Sequence, residues 1–300
     1  MPFFTSITDA REKLASTGYL VDEALATVVY LGDALGKPIM LEGPAGTGKT
    51  ELAKAVAAAT GATLVRLQCY EGLDEARALY EWNYRKQLLR IQATQSDHNS
   101  DQVSDQSSDE WHTLHDDIFS EEFLLARPLL TAIRQQGPTV LLVDETDKAD
   151  VEVEGLLLEV LSEFQVTVPE LGTITATHKP FVVLTSNATR ELSEALKRRC
   201  LYAHVDYPEA TRERAIVMSR VPEITETLAT ELVRSVRAMR TLDLRKAPSV
   251  AETIDWAQAM QVLNVTELTE AVIEQTLGVV LKHQSDRHRV IEQFGLESSR

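Results

Sequence analysis

The chain has 300 residues, of which 44% are hydrophobic, enough for one large domain or two medium domains with buried cores. Its 46 Asp and Glu residues outnumber 30 Lys and Arg residues, which gives a formal net charge of −16. This balance argues against broad electrostatic attraction to nucleic acid or anionic lipid, and it favours proteins as partners.

The start of the chain and its hydropathy predict a cytoplasmic protein. Charged residues occur too early for a secretory signal, and no apolar run approaches the ~20 residues that span a bilayer. Cys69 and Cys200 lie in or beside apolar runs without the spacing of metal ligands, so we interpret them as two buried thiols.

The first part of the chain alternates between helical and strand patterns. Apolar residues spaced by three and four predict a helix over 21–35, and short apolar runs predict strands over 38–41 and 62–68. A helix-forming run covers 51–59. Residues 73–92 also have a helical pattern, and we assign their three aromatic side chains to packing.

A polar stretch over 94–117 interrupts this alternation. It is rich in Ser, Gln and Asp and poor in apolar residues, a composition typical of mobile loops. Order resumes over 124–135 with a predicted helix that starts around Pro128, followed by an apolar strand over 139–143 and a helix over 150–162.

A hairpin pattern over 164–176 and a second apolar strand over 180–186 follow. A short helical stretch over 191–197 then leads to a strand over 201–205. Beyond residue 207 the periodicity is helical throughout.

This order predicts an α/β fold, with a mainly parallel sheet covered by helices on both faces. We therefore divide the chain into an α/β domain over 1–206 and a smaller all-α domain over 207–300, with 94–117 as a polar mobile insertion in the first.

Residues 43–50 carry the most specific motif of the chain. They match G-x-x-x-x-G-K-[ST], a loop whose glycines bring backbone N–H groups close to phosphate oxygens. The strand before it and the helix after it put the phosphates at a helix N-terminus. We expect nucleotide contacts from Gly43, Pro44, Ala45, Gly46, Thr47, Gly48, Lys49, Thr50 and Glu51, the last being the first residue of the predicted helix.

Two carboxylates, Asp144 and Glu145, follow the apolar strand over 139–143. Ligands bind at the carboxyl ends of strands in open α/β sheets. We expect Asp144 and the hydroxyl of Thr50 to hold Mg²⁺, and Glu145 to polarise a water aimed at the γ-phosphate.

Asn187 ends the next apolar strand. Its amide could bridge that water and the γ-phosphate, whereas the alternative is an ordinary Asn turn after a strand; the acidic pair on the preceding strand favours the first interpretation.

Arg198 and Arg199 stand together in an acidic chain, before the strand over 201–205. At a subunit edge, one of them could neutralise charge on the γ-phosphate of a neighbouring subunit. The alternative is a basic surface patch, and charge alone does not choose between the two arginines.

In this order, the phosphate loop, the acidic pair, Asn187 and the arginines, followed by a helical segment, resemble an AAA+ ATPase. Within that group the resemblance narrows to the MoxR family over 143–150, 157–161, 164–170 and 196–200. Two further stretches, 69–84 and 190–196, resemble its CoxD-type branch.

The resemblance implies a ring-forming ATPase, usually hexameric, which uses ATP and Mg²⁺ and acts as a chaperone in the maturation of a client protein. It implies a von Willebrand factor A domain protein as partner. The CoxD-type branch further implies the molybdenum-copper centre of carbon monoxide dehydrogenase as the object of maturation. By this resemblance, Lys49 and Thr50 act in the phosphate loop, and Asp144 and Glu145 form the Walker B motif. Asn187 is the first sensor, and Arg198 or Arg199 is the arginine finger.

One motif departs from the pattern of related ATPases. They often place a second-sensor Arg in a Pro-Ser-x-Arg string, whereas residues 248–251 read Pro-Ser-Val-Ala. Arg245, or Lys246 beside it, is the candidate substitute in contact with the nucleotide.

Two other function classes remain open at the level of sequence. A nucleic-acid motor or restriction-type ATPase or GTPase could use the same scaffold, although the acidic composition argues against it. A nucleotide-binding regulatory protein with little turnover would carry the same loop.

Overall fold

A computed structural model of the chain describes residues 2–97 and 117–295. The strands of these residues are short. They are β1 (Ile39–Glu42), β2 (Thr63–Gln68), β3 (Tyr80–Trp82), β4 (Leu124–Ala126), β5 (Thr139–Asp144), β6 (Gln165–Val168), β7 (Gly172–Thr175), β8 (Phe181–Ser186) and β9 (Leu201–His204).

Five of the described strands form a parallel sheet in the order β2-β5-β8-β1-β9. The strands β5 and β8 are buried along their whole length, as their continuous apolar sequences predict for a sheet covered on both faces. Successive residues face opposite cores, so Leu141 and Val143 join one hydrophobic cluster while Val140 and Leu142 join another. The predicted α/β fold is confirmed.

Helices cover both faces of this sheet and then form a segment of their own. They are α1 (Ile7–Ser16), α2 (Glu23–Leu35), α3 (Lys49–Thr60), α4 (Glu75–Ala78), α5 (Tyr84–Asp97), α6 (Pro128–Arg134), α7 (Val151–Glu163), α8 (Glu194–Arg199), α9 (Ala210–Arg220), α10 (Glu226–Arg240), α11 (Val250–Val262), α12 (Glu270–Val280) and α13 (Gln284–Phe294). Over 2–97 and 117–295, no helix has the length and apolar character needed to cross a bilayer.

The helical segment α9–α13 packs around a third hydrophobic cluster, which includes Leu232, Trp256 and Leu277. The indole of Trp256 is fully buried, and its Nε1 donates a hydrogen bond to Thr276 Oγ1 at 2.8 Å. This bond satisfies the one polar atom of a large apolar side chain, so the segment has a well-specified core.

The predicted helix over 73–92 is wrong in part, whereas the helix predicted to start around Pro128 is confirmed. Residues 80–82 and 124–126 pair as the antiparallel strands β3 and β4. In the chain, β3 lies between the short helix α4 and the longer helix α5, and β4 directly precedes α6. Tyr80 and Trp82 alternate with the period of a strand, and Trp82 is buried against Phe119. Packing of the aromatic rings thus outweighs the local helical pattern.

The other boundaries follow the predicted pattern more closely. The hairpin over 164–176 is confirmed as the antiparallel pair β6 and β7. The predicted insertion over 94–117 begins inside α5, which continues to Asp97, and its remainder over 98–116 lies outside the described residues.

The interpretation of both cysteines as buried thiols is correct for Cys69 and incomplete for Cys200, which is partly exposed. Both thiols are free of disulfides, and burial raises the pKa of each to about 12. Neither thiol therefore has the lowered pKa of a reactive cysteine.

The helical segment also contains a buried ion pair. Arg240 donates from Nη1 and Nη2 to the two carboxylate oxygens of Glu213, each at 2.7 Å, and Thr253 Oγ1 donates to the same carboxylate at 2.9 Å. Glu213 is fully buried, and the guanidinium of Arg240 lies 4.3 Å from the ring centre of Tyr207. The pair ties α9 to α10 and α11.

We expect Glu213→Gln to destabilise the protein by roughly 3–5 kcal/mol. The substitution leaves the Arg240 charge buried without a negative charge beside it and with one carboxylate oxygen replaced by an amide donor. The matched control is Glu226→Gln, which breaks the exposed pair with Arg214 and should cost about 0–1 kcal/mol. Urea unfolding of both variants measures the difference. Equal losses would contradict the assigned role of the buried pair.

Candidate functional site

The phosphate loop lies between β1 and α3, and two of its glycines have no tolerated replacement. Gly43 has φ of 154°, and a Cβ there would lie 2.1 Å from the carbonyl oxygen of Val205. Gly46 has φ of 73°, and its Cβ would lie 2.1 Å from Ser249 Oγ, at the start of α11. The backbone of the loop therefore lies directly against its neighbours in the sheet and the helical segment, without room for side chains at these two positions.

Lys49 is buried inside this loop. Its Nζ donates to the carbonyl oxygens of Gly43 at 2.8 Å and Pro44 at 2.6 Å. Burial lowers the pKa of Lys49, while the nearby carboxylates of Asp147 and Asp144 raise it. The loop thus encloses a cation together with the N–H groups that begin α3, an arrangement suited to an anion.

Thr50 and Asp144 meet at the carboxyl ends of the strands. Thr50 Oγ1 donates to Asp144 Oδ1 at 2.8 Å, and Thr185 Oγ1 donates to the same oxygen at 2.6 Å. The Asp144 side chain is buried. Carboxylate and hydroxyl oxygens are ligands that Mg²⁺ accepts beside phosphates, so this pair fits the ion.

Glu145 has a left-handed backbone, with φ of 56° and ψ of 48°. Its N–H donates to Thr185 Oγ1 at 2.9 Å, and its carboxylate accepts a hydrogen bond from Gln68 Nε2 at 3.1 Å. A non-glycine residue in this region is strained, and such strain is concentrated at functional sites. The carboxylates of Asp144 and Glu145 are linked through Arg66 and Gln68, because Arg66 donates to both Asp144 and Gln68, and Gln68 donates to Glu145.

Asn187 lines the same cleft, at the end of β8. The sheet order places β8 between β1 and β5, so Asn187 lies between the strand before the phosphate loop and the strand that ends in Asp144. Its backbone N–H donates to Asp147 Oδ1 at 3.1 Å.

The cleft has a volume of about 820 Å³ and extends from the phosphate loop to the helical segment. Leu20, Val28, Ile216 and Ile254 give one part an apolar lining. The residues of the predicted phosphate site that line the cleft are Ala45, Gly46, Thr47, Gly48, Lys49, Thr50 and Glu51, with Asp144, Glu145 and Asn187.

Sequence reasoning missed three polar residues around this cleft. Arg66 on β2 binds Asp144 Oδ2 at 2.6 Å, and Arg212 on α9 binds Asp22 Oδ2 and the Leu20 carbonyl, both at 2.7 Å. Tyr19 donates to the Gly48 carbonyl at 3.1 Å, and burial raises its pKa. Each lies in an unremarkable local sequence. Tyr19 and Arg212 line the cleft, and Arg66 is tied to it through Asp144.

Arg198 and Arg199 do not line the cleft of their own chain. They end α8, just before β9 begins, which places them toward the amino edge of the sheet. Arg199 donates to Ser162 Oγ at 2.6 Å and to the Ala195 carbonyl at 3.1 Å. The side chain of Arg198 is exposed and has no hydrogen bond or ion pair with residues 2–97 or 117–295.

The structure does not bring Arg245 to the cleft. Its side chain is exposed, and its N–H donates to Asp286 Oδ1 at 2.9 Å. Lys246 Nζ lies 3.6 Å from Glu252 Oε1. The start of α11 lines the cleft with Val250 and Ala251 instead.

Comparison with known proteins agrees with this site. The sequence profile of the ATPase family associated with various cellular activities (AAA) matches residues 39–206, which is more than half of the chain. The chain belongs to this family. Its members typically form oligomeric rings, and the activity of this AAA ATPase is ATP hydrolysis dependent on Mg²⁺.

Similar proteins include the gas vesicle ATPase GvpN of Ancylobacter aquaticus, which is 27% identical over 232 residues. That match covers 73% of this chain and 59% of GvpN. An uncharacterized protein of Staphylococcus haemolyticus (strain JCSC1435) is 22% identical over 267 residues, 85% of this chain and 89% of that protein. One from Staphylococcus epidermidis is 21% identical over 273 residues, 87% and 91% of the two chains.

ATP with Mg²⁺ fits the residues present in the AAA ATPase. The loop offers backbone N–H groups that no Cβ obstructs, Lys49 offers a buried cation, and Thr50 and Asp144 offer two oxygens 2.8 Å apart. When bound, the ion neutralises charge on the phosphate oxygens.

We expect Gly46→Ala to weaken ATP binding by at least about tenfold, because the added methyl group collides with Ser249 and displaces the loop. Gly36→Ala is the matched control: its φ is also positive, at 60°, with nothing within 4 Å of the new Cβ. It should lower stability by about 1–2 kcal/mol and leave ATP affinity unchanged.

The double variant Gly46→Ala, Ser249→Gly removes both colliding Ser249 atoms and should recover part of the affinity. Fluorescent ATP titration measures all three. Wild-type affinity in Gly46→Ala would contradict the constraint.

Proposed function

We propose that this AAA ATPase is a ring-forming chaperone of the MoxR type, which uses ATP hydrolysis to remodel or mature a client protein. One observation carries the proposal: the cleft is lined both by the carboxyl edge of the sheet and by α9 and α11 of the helical segment. A nucleotide bound there touches both parts, so hydrolysis changes the interactions that hold them at one angle.

We divide the chain at residues 206 and 207 into an α/β domain and an all-α lid. The end of the family match at residue 206 and the separate hydrophobic cluster of α9–α13 support this division.

Within the site, we assign phosphate binding to Lys49 and Mg²⁺ binding to Thr50 and Asp144. Glu145 orients and polarises the attacking water, and Asn187 fixes the water relative to the γ-phosphate. The backbone of Glu145 supports its role, because a strained residue is held at the carboxyl edge of the sheet by hydrogen bonds with Thr185 and Gln68.

Arg198 completes the site of the neighbouring subunit in a ring, which we propose to be hexameric. Both arginines are exposed and neither lines its own cleft, but Arg199 is held by Ser162 and Ala195 within the chain, which favours Arg198. A cation at this position stabilises charge that develops in the transition state.

A von Willebrand factor A domain protein is the proposed partner, and the cytoplasm is the proposed compartment, supported by the two free cysteines. The sequence resemblance over 69–84 and 190–196 favours a molybdenum-containing, carbon monoxide dehydrogenase-like client. The 27% identity to GvpN favours a second candidate, a gas vesicle protein. The exposed strand β7 is a candidate client contact.

Two rival functions are less well supported. The net charge of −16 disfavours a nucleic-acid motor. A regulatory protein with little turnover does not need the strained Glu145 or the ordered networks around both carboxylates. Stimulation of ATP hydrolysis by DNA would favour the first rival.

We expect Glu145→Gln and Arg198→Ala each to lower ATP hydrolysis by ~10³-fold in homogeneous assemblies. An equimolar mixture should recover activity, because Glu145→Gln subunits offer an arginine to the intact sites of Arg198→Ala subunits. Arg199→Ala is the control and should retain more activity than Arg198→Ala. Phosphate release measures the rates, and a mixture no faster than its components would contradict sharing of the site.

We expect the Glu145→Gln variant to form rings in ATP and to retain client that the wild type releases. Mass photometry gives the ring size, and mass spectrometry of proteins copurified with each form identifies the client. A monomer at all ATP concentrations would contradict the ring.

A further inference from the structure

Residues 187–193, here called the connecting loop, join the end of β8 at the cleft to the start of α8. The loop begins with Asn187 in the cleft and ends at Ser193, the N-cap of α8. Because α8 carries Arg198, this loop links the subunit's own site to the residue that it offers to a neighbour. Two buried carboxylates hold the loop.

Asp147 holds its first half. This residue is 3% exposed, and its carboxylate accepts hydrogen bonds from the N–H groups of Asn187 and Thr189, both at 3.1 Å, and from Thr189 Oγ1. Ala188, between them, has φ of 56°. The carboxylate thus fixes a strained turn directly after Asn187.

Glu154 holds the second half of the connecting loop. This residue, on α7, is 2% exposed, and its carboxylate accepts hydrogen bonds from the Ser193 N–H at 3.0 Å and from Arg190 Nη2. The same guanidinium donates to the Ala149 carbonyl at 2.6 Å. The start of α8 is therefore anchored to α7 by a buried charge.

Burying two charged carboxylates beside one loop costs desolvation free energy. Burial would raise the pKa of both carboxyls, yet hydrogen bonds from Thr189 and Asn187 lower that of Asp147, and those from Ser193 and Arg190 lower that of Glu154. Both groups are thus built to remain ionised and to grip backbone N–H groups, which gives short, directional contacts.

We propose that Asp147 and Glu154 are positioning residues with separate tasks: Asp147 sets Asn187 in the subunit's own site, and Glu154 sets Arg198 for the neighbour's site. This inference rests on the proposed sharing of sites in a ring. It assigns each carboxylate to a different active site, although both grip one loop of seven residues.

The test exploits this separation. Asp147→Asn and Glu154→Gln keep side-chain size. Each replaces one carboxylate oxygen with an NH₂ group that would face the hydrogen-bond donors of the loop. A displacement of about 1 Å costs ~10²-fold in rate, so each homogeneous assembly should lose about that much ATP hydrolysis. Glu191→Gln, whose side chain is 83% exposed on the same loop, is the matched control and should match the wild type.

Mixing the variants separates the two roles. Glu154→Gln should recover activity when mixed with Glu145→Gln, which supplies the arginine, and should not recover with Arg198→Ala. Asp147→Asn should do the reverse: it should recover with Arg198→Ala and not with Glu145→Gln. A merely structural role gives no such crossed pattern.

The outcomes are distinguishable from failure of the ring itself. If the reference mixture of Glu145→Gln with Arg198→Ala does not recover, sharing of sites is wrong. If the reference recovers and both carboxylate variants recover with the same partner, or with neither, the division of tasks is overturned.

Thermal unfolding and ATP affinity check that each variant is folded. If either fails to fold, Thr189→Val and Arg190→Ala remove one donor from each carboxylate and enter the same mixtures. Thr189→Val should then follow the Asp147→Asn pattern and Arg190→Ala the Glu154→Gln pattern, and the opposite assignment would overturn the inference.

Discussion

The carboxylate of Asp144 joins four elements at the carboxyl edge of the sheet. It ends β5, its Oδ1 accepts hydroxyl donors from Thr50 on α3 and Thr185 on β8, and its Oδ2 accepts the guanidinium of Arg66 on β2. Thr50, Thr185 and Arg66 are thus all bound to one buried group beside the phosphate loop. A substitution at Asp144 would therefore disturb the relative placement of these elements.

Local pattern was enough to predict the phosphate loop, the apolar strands and the acidic pair. The loop needs glycines at fixed spacing, and a parallel strand covered on both faces needs a continuous apolar run. Arg66 and Arg212 could not be found in this way, because they meet partners 78 and 190 residues away in sequence. The strands β3 and β4 were missed for the same reason, since each is only three residues long and is defined by its pairing with the other.

The prediction for Arg245 shows how a motif can mislead when one residue is changed. The start of α11 presents Val250 and Ala251 to the cleft, and the N–H groups of Arg245 and Lys246 are bound to Asp286. The helical segment still brings cationic side chains to the cleft, from α9, where Arg212 binds Asp22, the N-cap of α2. Charge from this segment thus enters the site through a different helix from the one that the motif indicated.

The contact between Gly46 and Ser249 limits how the helical segment can move. The Ser249 side chain, at the start of α11, lies against the backbone of Gly46 in the phosphate loop, with no room for a Cβ between them. The phosphate loop and the first turn of α11 are thus already in contact in this arrangement. A closer approach of the first turn of α11 to the phosphate loop would therefore require Ser249 to move first.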